Sequence, residues 1–165
     1  MRSSWLEPDV ISYNSSISAC EKGQQWERAL SLLPEMRSSR LERDVISYSS
    51  AISACEKGQQ WEQALSLLPE MRSSRQEPNV ISYSSGISAC EKGEQWKQAL
   101  SLLPEMRRSR LEPNVISYNA AISACEKGQQ WEQALSLLPE MRSAWQEPNV
   151  ISYSSAISAC EKGQK

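Results

Sequence analysis

The stretch Val10–Asp44, VISYNSSISACEKGQQWERALSLLPEMRSSRLERD, decides the fold because the chain repeats it without a gap every 35 residues. The five cysteines mark the period: Cys20, Cys55, Cys90, Cys125 and Cys160. Complete units occupy residues 10–44 (repeat 1), 45–79 (repeat 2), 80–114 (repeat 3) and 115–149 (repeat 4). Residues 1–9 match the tail of a preceding unit, and residues 150–165 match the first half of a following one. Uninterrupted repeats of this length are typical of solenoids, in which each unit packs against its neighbours.

The composition excludes several classes of protein. The 165 residues include 18 basic and 20 acidic side chains and no histidine. Without an imidazole there is no Ser-His-Asp triad, no Cys-His pair and no histidine-bearing zinc site, so we predict no enzyme, no metal site and no cofactor. Hydrophobic residues make up 39% of the chain, and no apolar run approaches 18 residues. We therefore expect a folded, soluble chain and no membrane partner.

The second half of the unit has the pattern of an amphipathic helix, called helix B. Its apolar residues recur at helical spacing: Trp26, Ala29, Leu30, Leu33 and Met36. This periodicity places them on one helix face. Pro34 lies inside the pattern and removes one backbone hydrogen bond. Because Met36 resumes the same face, we predict one kinked, continuous helix rather than two pieces.

The first half of the unit, called helix A, is the weaker helix pattern because it is rich in Val, Ile, Ser and Tyr. An Asp or Asn before it can cap the helix, at Asp9, Asp44, Asn79, Asn114 and Asn149. Lys22 and Gly23 suit a helix end. The alternative is a strand followed by a helix, but its leucine-rich form needs leucines that ISYSSAISAC lacks. We predict helix-turn-helix units joined by a Gly-Gln-Gln turn.

We expect the repeated cysteines, and the tryptophans that open helix B, to lie in the core. Equivalent cysteines on neighbouring helices would lie about 8–10 Å apart, beyond the reach of a disulfide, so we expect reduced thiols. The chain has no C-x-x-C motif to suggest a metal site. The tryptophans that open helix B suit core packing, with base stacking as the alternative: Trp26, Trp61, Trp96 and Trp131. Trp5 and Trp145 are expected to be exposed, and the arginines of the same stretch to belong to a solvated face: Arg72, Arg75, Arg107, Arg108 and Arg110.

One lysine occupies the same place in every unit, at Lys22, Lys57, Lys92, Lys127 and Lys162. Such a row of cations along a solenoid can follow a phosphate backbone. A lysine in the last turn of helix A also stabilises that helix end. Both interpretations stay open on the sequence.

Two polar positions vary between the otherwise similar units. The fifth residue is Asn14, Ser49, Ser84, Asn119 and Ser154. The last residue is Asp44, Asn79, Asn114 and Asn149. These side chains differ in hydrogen-bond donors and acceptors. If the A helices line the concave side, the two positions form one polar pair at each step between repeats.

The unit resembles the 35-residue pentatricopeptide repeat in its V-I-S-Y-N opening, A-C-E-K-G turn, W-E-x-A-L-x-L-L-x-E-M helix and E-P-N closing. The resemblance covers essentially the whole chain. It implies an all-α fold, a right-handed helix-turn-helix solenoid (α-α superhelix). The chain departs from the family pattern at the prolines of helix B, and it has Ser, Ala or Gly at a position where Leu is common, as at Gly86.

Pentatricopeptide proteins bind single-stranded RNA in organelles and read one base per repeat from the 5′ end. By that resemblance the fifth and last residues select the base, which gives U, A, A and C for the four complete units, or 5′-UAAC-3′. The second residue would pack against base faces, at Ile11, Ile46, Ile81, Ile116 and Ile151. The five lysines named above would contact phosphate. Reading unstacked bases with repeat-borne side chains is physically reasonable.

Two other functions remain open on the sequence. The acidic balance and the concave surface of solenoids suit a protein-binding scaffold. Because the chain starts and stops within a repeat, it also matches a fragment of a longer array, and its uncapped terminal repeats suit end-to-end self-association. A chloroplast or mitochondrial location follows from the family alone, since Met1 stands where the repeat has its own Met and no transit peptide is visible.

Overall fold

The computed structural model describes residues 7–164, and these form nine α-helices and no strands. Residues 1–6 and Lys165, which belong to the predicted terminal part-repeats, lie outside the described residues. The A helices are α1 (Val10–Lys22), α3 (Val45–Lys57), α5 (Val80–Lys92), α7 (Val115–Lys127) and α9 (Val150–Gly163). The B helices are α2 (Trp26–Ser38), α4 (Trp61–Ser73), α6 (Trp96–Arg108) and α8 (Trp131–Ser143). The helix-turn-helix prediction is confirmed, and the strand alternative for the first half of the unit is wrong.

Capping explains why the poor helix formers of helix A fold as a helix. The Asp44 carboxylate accepts a hydrogen bond from the Ser47 amide at 2.8 Å, and the Ser47 hydroxyl lies 3.2 Å from the Asp44 amide. This reciprocal capping box also forms at Asn79, Asn114 and Asn149. Each cap satisfies amides that the first turn leaves free, which is typically worth about 1 kcal/mol. The predicted caps are thereby confirmed.

Contrary to what the sequence suggested, helix A does not end at a left-handed glycine. Gly23 has an ordinary φ of −84°, whereas the next residue, Gln24, is left-handed with a φ of 55°. The Gln25 amide then donates to the Cys20 carbonyl at 2.8 Å and closes the helix end. The glycine is therefore not the residue that reverses the chain, and a glutamine or glutamate takes that strained conformation in every turn.

The glycine is required by a tryptophan from the preceding repeat. A Cβ atom on Gly58 would lie 2.3 Å from Cδ1 of Trp26, far inside van der Waals contact. The same approach occurs between Gly93 and Trp61, and it recurs in the next two turns. The tryptophans are half-buried and pack against the core, as predicted. Their contact with the next turn joins consecutive repeats.

Helix B continues through its proline, as the sequence predicts. Pro34 is exposed, while Leu33 and Met36 on the opposite face are buried. The proline ring therefore lies on the solvent side of the helix, outside its packed face. The Ser38 hydroxyl also donates to the Pro34 carbonyl at 3.1 Å.

The A helices form the tighter layer of the solenoid. Each A helix packs directly on the next A helix, and each B helix packs on its own A helix and on the following one. Among the described residues, no two B helices approach each other in this way. Because the A helices are more closely spaced than the B helices, the solenoid curves with the A helices on its inner side. The core between the layers holds fully buried Tyr48, Ile52 and Met71.

The cysteines belong to this core. They are free, and Cys20, Cys55, Cys90 and Cys125 are buried. Burial raises the pKa of Cys55 to about 11 and that of Cys90 to about 12. The expected reduced, unreactive thiols agree with this environment.

We predict that Gly86→Ala stabilises the chain by about 1 kcal/mol, because alanine is the better helix former. An added Cβ would meet Leu102 and Leu68 at 3.6 Å, which is ordinary contact, and the other A helices already carry Ala or Ser there. Urea unfolding followed by circular dichroism measures the change. An unchanged or lower midpoint would contradict the packing described here.

We predict the opposite for Gly58→Ala, which forces the Trp26 ring away from the turn and should lower the unfolding free energy by about 1–3 kcal/mol. Gly23→Ala is the matched control, since Gly23 ends the same kind of helix and the nearest described neighbours of its added Cβ would be Ala19, Cys20 and Gln25 of its own turn. Equal losses in the two variants would show that the Trp26 contact is unimportant.

Candidate nucleic-acid interface

Five isoleucines form an exposed apolar row along the A helices. They are the second residue of each A helix, with exposed fractions of 58–73%: Ile11, Ile46, Ile81, Ile116 and Ile151. The isoleucine six residues later is fully buried in α1, α3, α5 and α7, as at Ile52, whereas Ile157 of α9 is exposed. The exposed set, here called the isoleucine row, therefore does not serve the core. Regularly spaced apolar side chains on a surface are typical of a binding site.

Two cavities open between members of the isoleucine row. One, of about 240 Å³, lies between Ile46 and Ile81 and is lined by Ser49 and Asn79. The other, of about 230 Å³, lies between Ile81 and Ile116 and is lined by Ser84 and Asn114. Each cavity thus combines two apolar walls with the fifth and last residues of one repeat.

In repeats 1, 2 and 4 the fifth and last residues also contact each other directly. The Asn14 amide group donates to the Asp44 carboxylate at 3.1 Å, and the Ser49 hydroxyl lies 3.5 Å from the Asn79 oxygen. In repeat 4 the Asn119 amide group donates to the Asn149 oxygen at 3.2 Å. The structure places one polar pair at each of these steps between repeats. Ser154, the fifth residue of α9, is exposed.

A buried serine orients the fifth residue, and the sequence analysis missed it. The Ser47 hydroxyl donates to the Asn14 side-chain oxygen at 2.6 Å, and Ser152 does the same for Asn119 at 2.5 Å. Where the fifth residue is serine, the two hydroxyls bond to each other at 2.9 Å. These serines are fully buried. Their signal in the sequence is that every unit has serine at the third position, which is also the capping-box position.

Asp44 is the only acidic member of the four last residues. Burial alone would raise the pKa of its carboxyl, but hydrogen bonds from Ser47 and Asn14 bring the pKa below its ordinary value of 3.8. Asp44 is therefore ionised at neutral pH and can only accept hydrogen bonds, whereas Asn79, Asn114 and Asn149 can also donate.

The lysine row is paired with carboxylates of the preceding repeat. Lys57 contacts Glu21 at 3.0 Å, Lys92 contacts Glu56 at 3.0 Å, and Lys127 contacts Glu91 at 2.6 Å. Lys162 and Glu126 repeat the contact at 2.8 Å. Lys22 is exposed and forms no ion pair with the residues that the structure describes. Neither interpretation of these lysines from the sequence included this pairing.

A second polar network ties the repeats together at the other end of helix B. Arg72 donates to Glu105 at 2.7 Å and also to the hydroxyl of Tyr83. Arg107 makes the same contacts with Glu140 and Tyr118. The expectation that these two arginines belong to a merely solvated face is wrong, because each one bridges two repeats. Their role is structural, and they lie away from the isoleucine row.

Other site types are not found in residues 7–164. This part of the chain brings no three His, Cys, Asp or Glu side chains together as a metal site. It also has no helix with the length and apolar character needed to span a membrane.

Family comparisons agree with the repeat geometry. A PPR repeat family model matches residues 8–57 and 113–162, and a pentatricopeptide repeat domain model matches residues 66–128. The chain belongs to the pentatricopeptide repeat family. A third model, the PPR repeat, matches residues 46–75. No curated protein matches the sequence.

Solved pentatricopeptide repeat structures share the fold. The chain aligns with PPR10 bound to an 18-nucleotide psaJ RNA element at a TM-score of 0.82 and 24% identity, over 96% of this chain and 23% of that one. It aligns with PPR10 from maize at a TM-score of 0.74 and 25% identity, over 93% and 22%. The PPR domain of Arabidopsis thaliana protein-only RNase P 1, crystallised with tRNA, aligns at 0.78 and 14% identity, over 91% and 82%. The chain thus spans less than a quarter of the PPR10 chains.

We predict that Asp44 makes folding sensitive to acid. Its folded-state pKa lies below its unfolded value, so its contribution to stability is full above about pH 4 and is lost as the pH falls through the folded-state pKa. Asp44→Asn keeps a capping residue that three other repeats use and removes this titration. The variant should lose less stability than the wild type between about pH 6 and pH 3 in urea unfolding.

Asp9→Asn is a parallel test, since Asp9 caps α1 through Ser12 and hydrogen bonds from Ser12 also lower the pKa of its exposed carboxyl. This variant should likewise lose less stability than the wild type at acid pH. A wild type and an Asp44→Asn variant with parallel pH curves would contradict the assignment.

Proposed function

We propose that this pentatricopeptide array binds single-stranded RNA along its A helices, one base per repeat. The observation that carries the proposal is the pair of cavities between Ile46, Ile81 and Ile116, each lined by a fifth and a last residue. An unstacked base needs two apolar walls for its faces and hydrogen-bonding groups at its edge. Each cavity supplies both. The RNA in the PPR10 structure and the tRNA in the protein-only RNase P 1 structure support the same class of ligand.

The base at each repeat follows from the polar pair. By family correspondence, Asn14 with Asp44 selects U, and Asn119 with Asn149 selects C. The serine pairs, Ser49 with Asn79 and Ser84 with Asn114, select A. A serine is shorter than an asparagine and leaves more room in the cavity, which suits the larger purine. The proposed target is therefore 5′-UAAC-3′, and Ser154 would take part in selecting a further base.

The isoleucine row and the lysine row complete the proposed interface. The isoleucines would contact base faces, and Lys22, Lys57, Lys92, Lys127 and Lys162 would contact phosphates. Four bases match about one random site in ~250, so we infer that these repeats act within a longer reading surface. Service in chloroplast or mitochondrial RNA processing, stabilisation or translation is proposed from the family. Protein partners and end-to-end self-association stay predictions.

We predict that Asn119→Ser changes the preferred fourth base from C to A. The substitution gives repeat 4 the Ser–Asn pair that repeats 2 and 3 already carry. Fluorescence anisotropy with UAAC and UAAA oligonucleotides measures the preference. One discriminated base is worth roughly 1–3 kcal/mol, so a reversal of about tenfold or more is expected.

Asn14→Ser is the control, because it changes repeat 1 and should leave the fourth-base preference intact. Binding that ignores both substitutions would refute base reading by these pairs. If the wild type binds no RNA under any salt condition, the protein-scaffold alternative gains the support instead.

A further inference from the structure

We propose that Glu21, Glu56, Glu91 and Glu126 act as built-in competitors for the RNA phosphates, so that RNA must displace them from the lysine row to bind. The inference rests on the proposed function and adds residues that determine affinity at the same surface. These four carboxylates, here called the glutamate row, are the residues directly before the lysine in each unit.

Each ion pair joins two different repeats, and its lysine can exchange the glutamate for an RNA phosphate. Glu21 lies at the end of α1 and its partner Lys57 lies at the end of α3, with 3.0 Å between the charged atoms. A contact between two long side chains on neighbouring helices opens by side-chain rotation alone. The lysines remain 33–52% exposed, so a phosphate can reach them from solvent.

The glutamate row lies in the same groove as the base-reading pairs. Glu21 lines the cavity that contains Ser49 and Asn79. Glu56 lines the cavity that contains Ser84 and Asn114. An RNA seated in these cavities therefore brings its phosphates close to the carboxylates that already hold the lysines.

Hydrogen bonds hold the Glu126 carboxylate in place and in its ionised form. The Glu126 carboxylate accepts hydrogen bonds from Lys162 at 2.8 Å and from Ser158 at 2.7 Å. Burial would raise the pKa of Glu126, but these contacts outweigh it and keep the pKa below its ordinary value. At neutral pH Glu126 is thus negatively charged, as RNA is.

Competition of this kind has a definite physical consequence. These pairs lie at the surface with their lysines open to solvent and their glutamates partly buried, and surface ion pairs contribute little to stability, so the fold loses little when a pair opens. An approaching phosphate gains the lysine but also meets the freed carboxylate, and like charges repel over a few ångströms. The Lys–Glu pairs therefore weaken the electrostatic attraction of this surface for any polyanion. Contacts to the bases then supply a larger share of the binding free energy.

The test removes one carboxylate without touching the lysine. Glu21→Gln should bind a UAAC-containing RNA about fivefold more tightly than the wild type at low salt, and Glu21→Gln/Glu56→Gln/Glu91→Gln should gain more than tenfold. Glu161→Gln is the matched control. Glu161 occupies the same place in α9 but forms no ion pair with a described residue, so it changes the net charge equally without freeing a lysine.

A double-mutant cycle separates this proposal from the proposed function. In a Lys57→Gln background, Glu21→Gln should gain no more affinity than Glu161→Gln does. The competitor role is overturned, while RNA binding stands, if the wild type binds RNA but Glu21→Gln gains no more affinity than Glu161→Gln in both the wild-type and the Lys57→Gln backgrounds. If the wild type and every variant fail to bind RNA, the proposed function itself is overturned. Thermal melting checks that each variant remains folded.

Discussion

The contact between a tryptophan and the glycine of the next turn fixes how each repeat sits on its neighbour. Trp26 packs against the backbone of Gly58 so closely that there is no room for a Cβ atom at that position. Because one ring meets one turn, the two repeats have a single register along the solenoid. The polar pairs, the Glu–Lys contacts and the cavities all join neighbouring repeats, and all depend on that register. A fold made of units that cannot bury their own apolar face depends on such contacts for both stability and shape.

Several residues at the proposed interface also serve the fold. Asp44 caps α3 through the Ser47 amide and at the same time accepts from the Asn14 side chain. Ser47 completes the cap and orients Asn14. A side chain held by two structural hydrogen bonds presents its remaining groups in a fixed direction, which is what selective recognition of a base edge requires. In this chain the helix start and the base-reading pair are therefore one structural unit.

The period, the two helices and their caps could be predicted because they depend on positions within one unit, whereas the isoleucine row was expected only from the family resemblance. Helical spacing placed Leu33 and Met36 in the core, and the proline did not alter that. The pairing of Lys57 with Glu21 could not be predicted, because the repeat length does not say which residue of one helix faces which residue of the next. The same is true of Arg72 with Tyr83 and of Gly58 with Trp26. In the turn, the assumption that glycine takes the left-handed conformation hid the fact that Gln59 takes it.

The cross-repeat pairing gives the array a direction. The tryptophan and the glutamate of each repeat contact the glycine and the lysine of the following repeat. Removing or inserting 35 residues brings equivalent positions together again, so the Trp–Gly and Glu–Lys contacts are restored with no second change in sequence. A gene that encodes such units can lengthen or shorten by recombination between its own copies and still yield a folded chain. The number of bases read would then change by whole steps while the packing stayed the same.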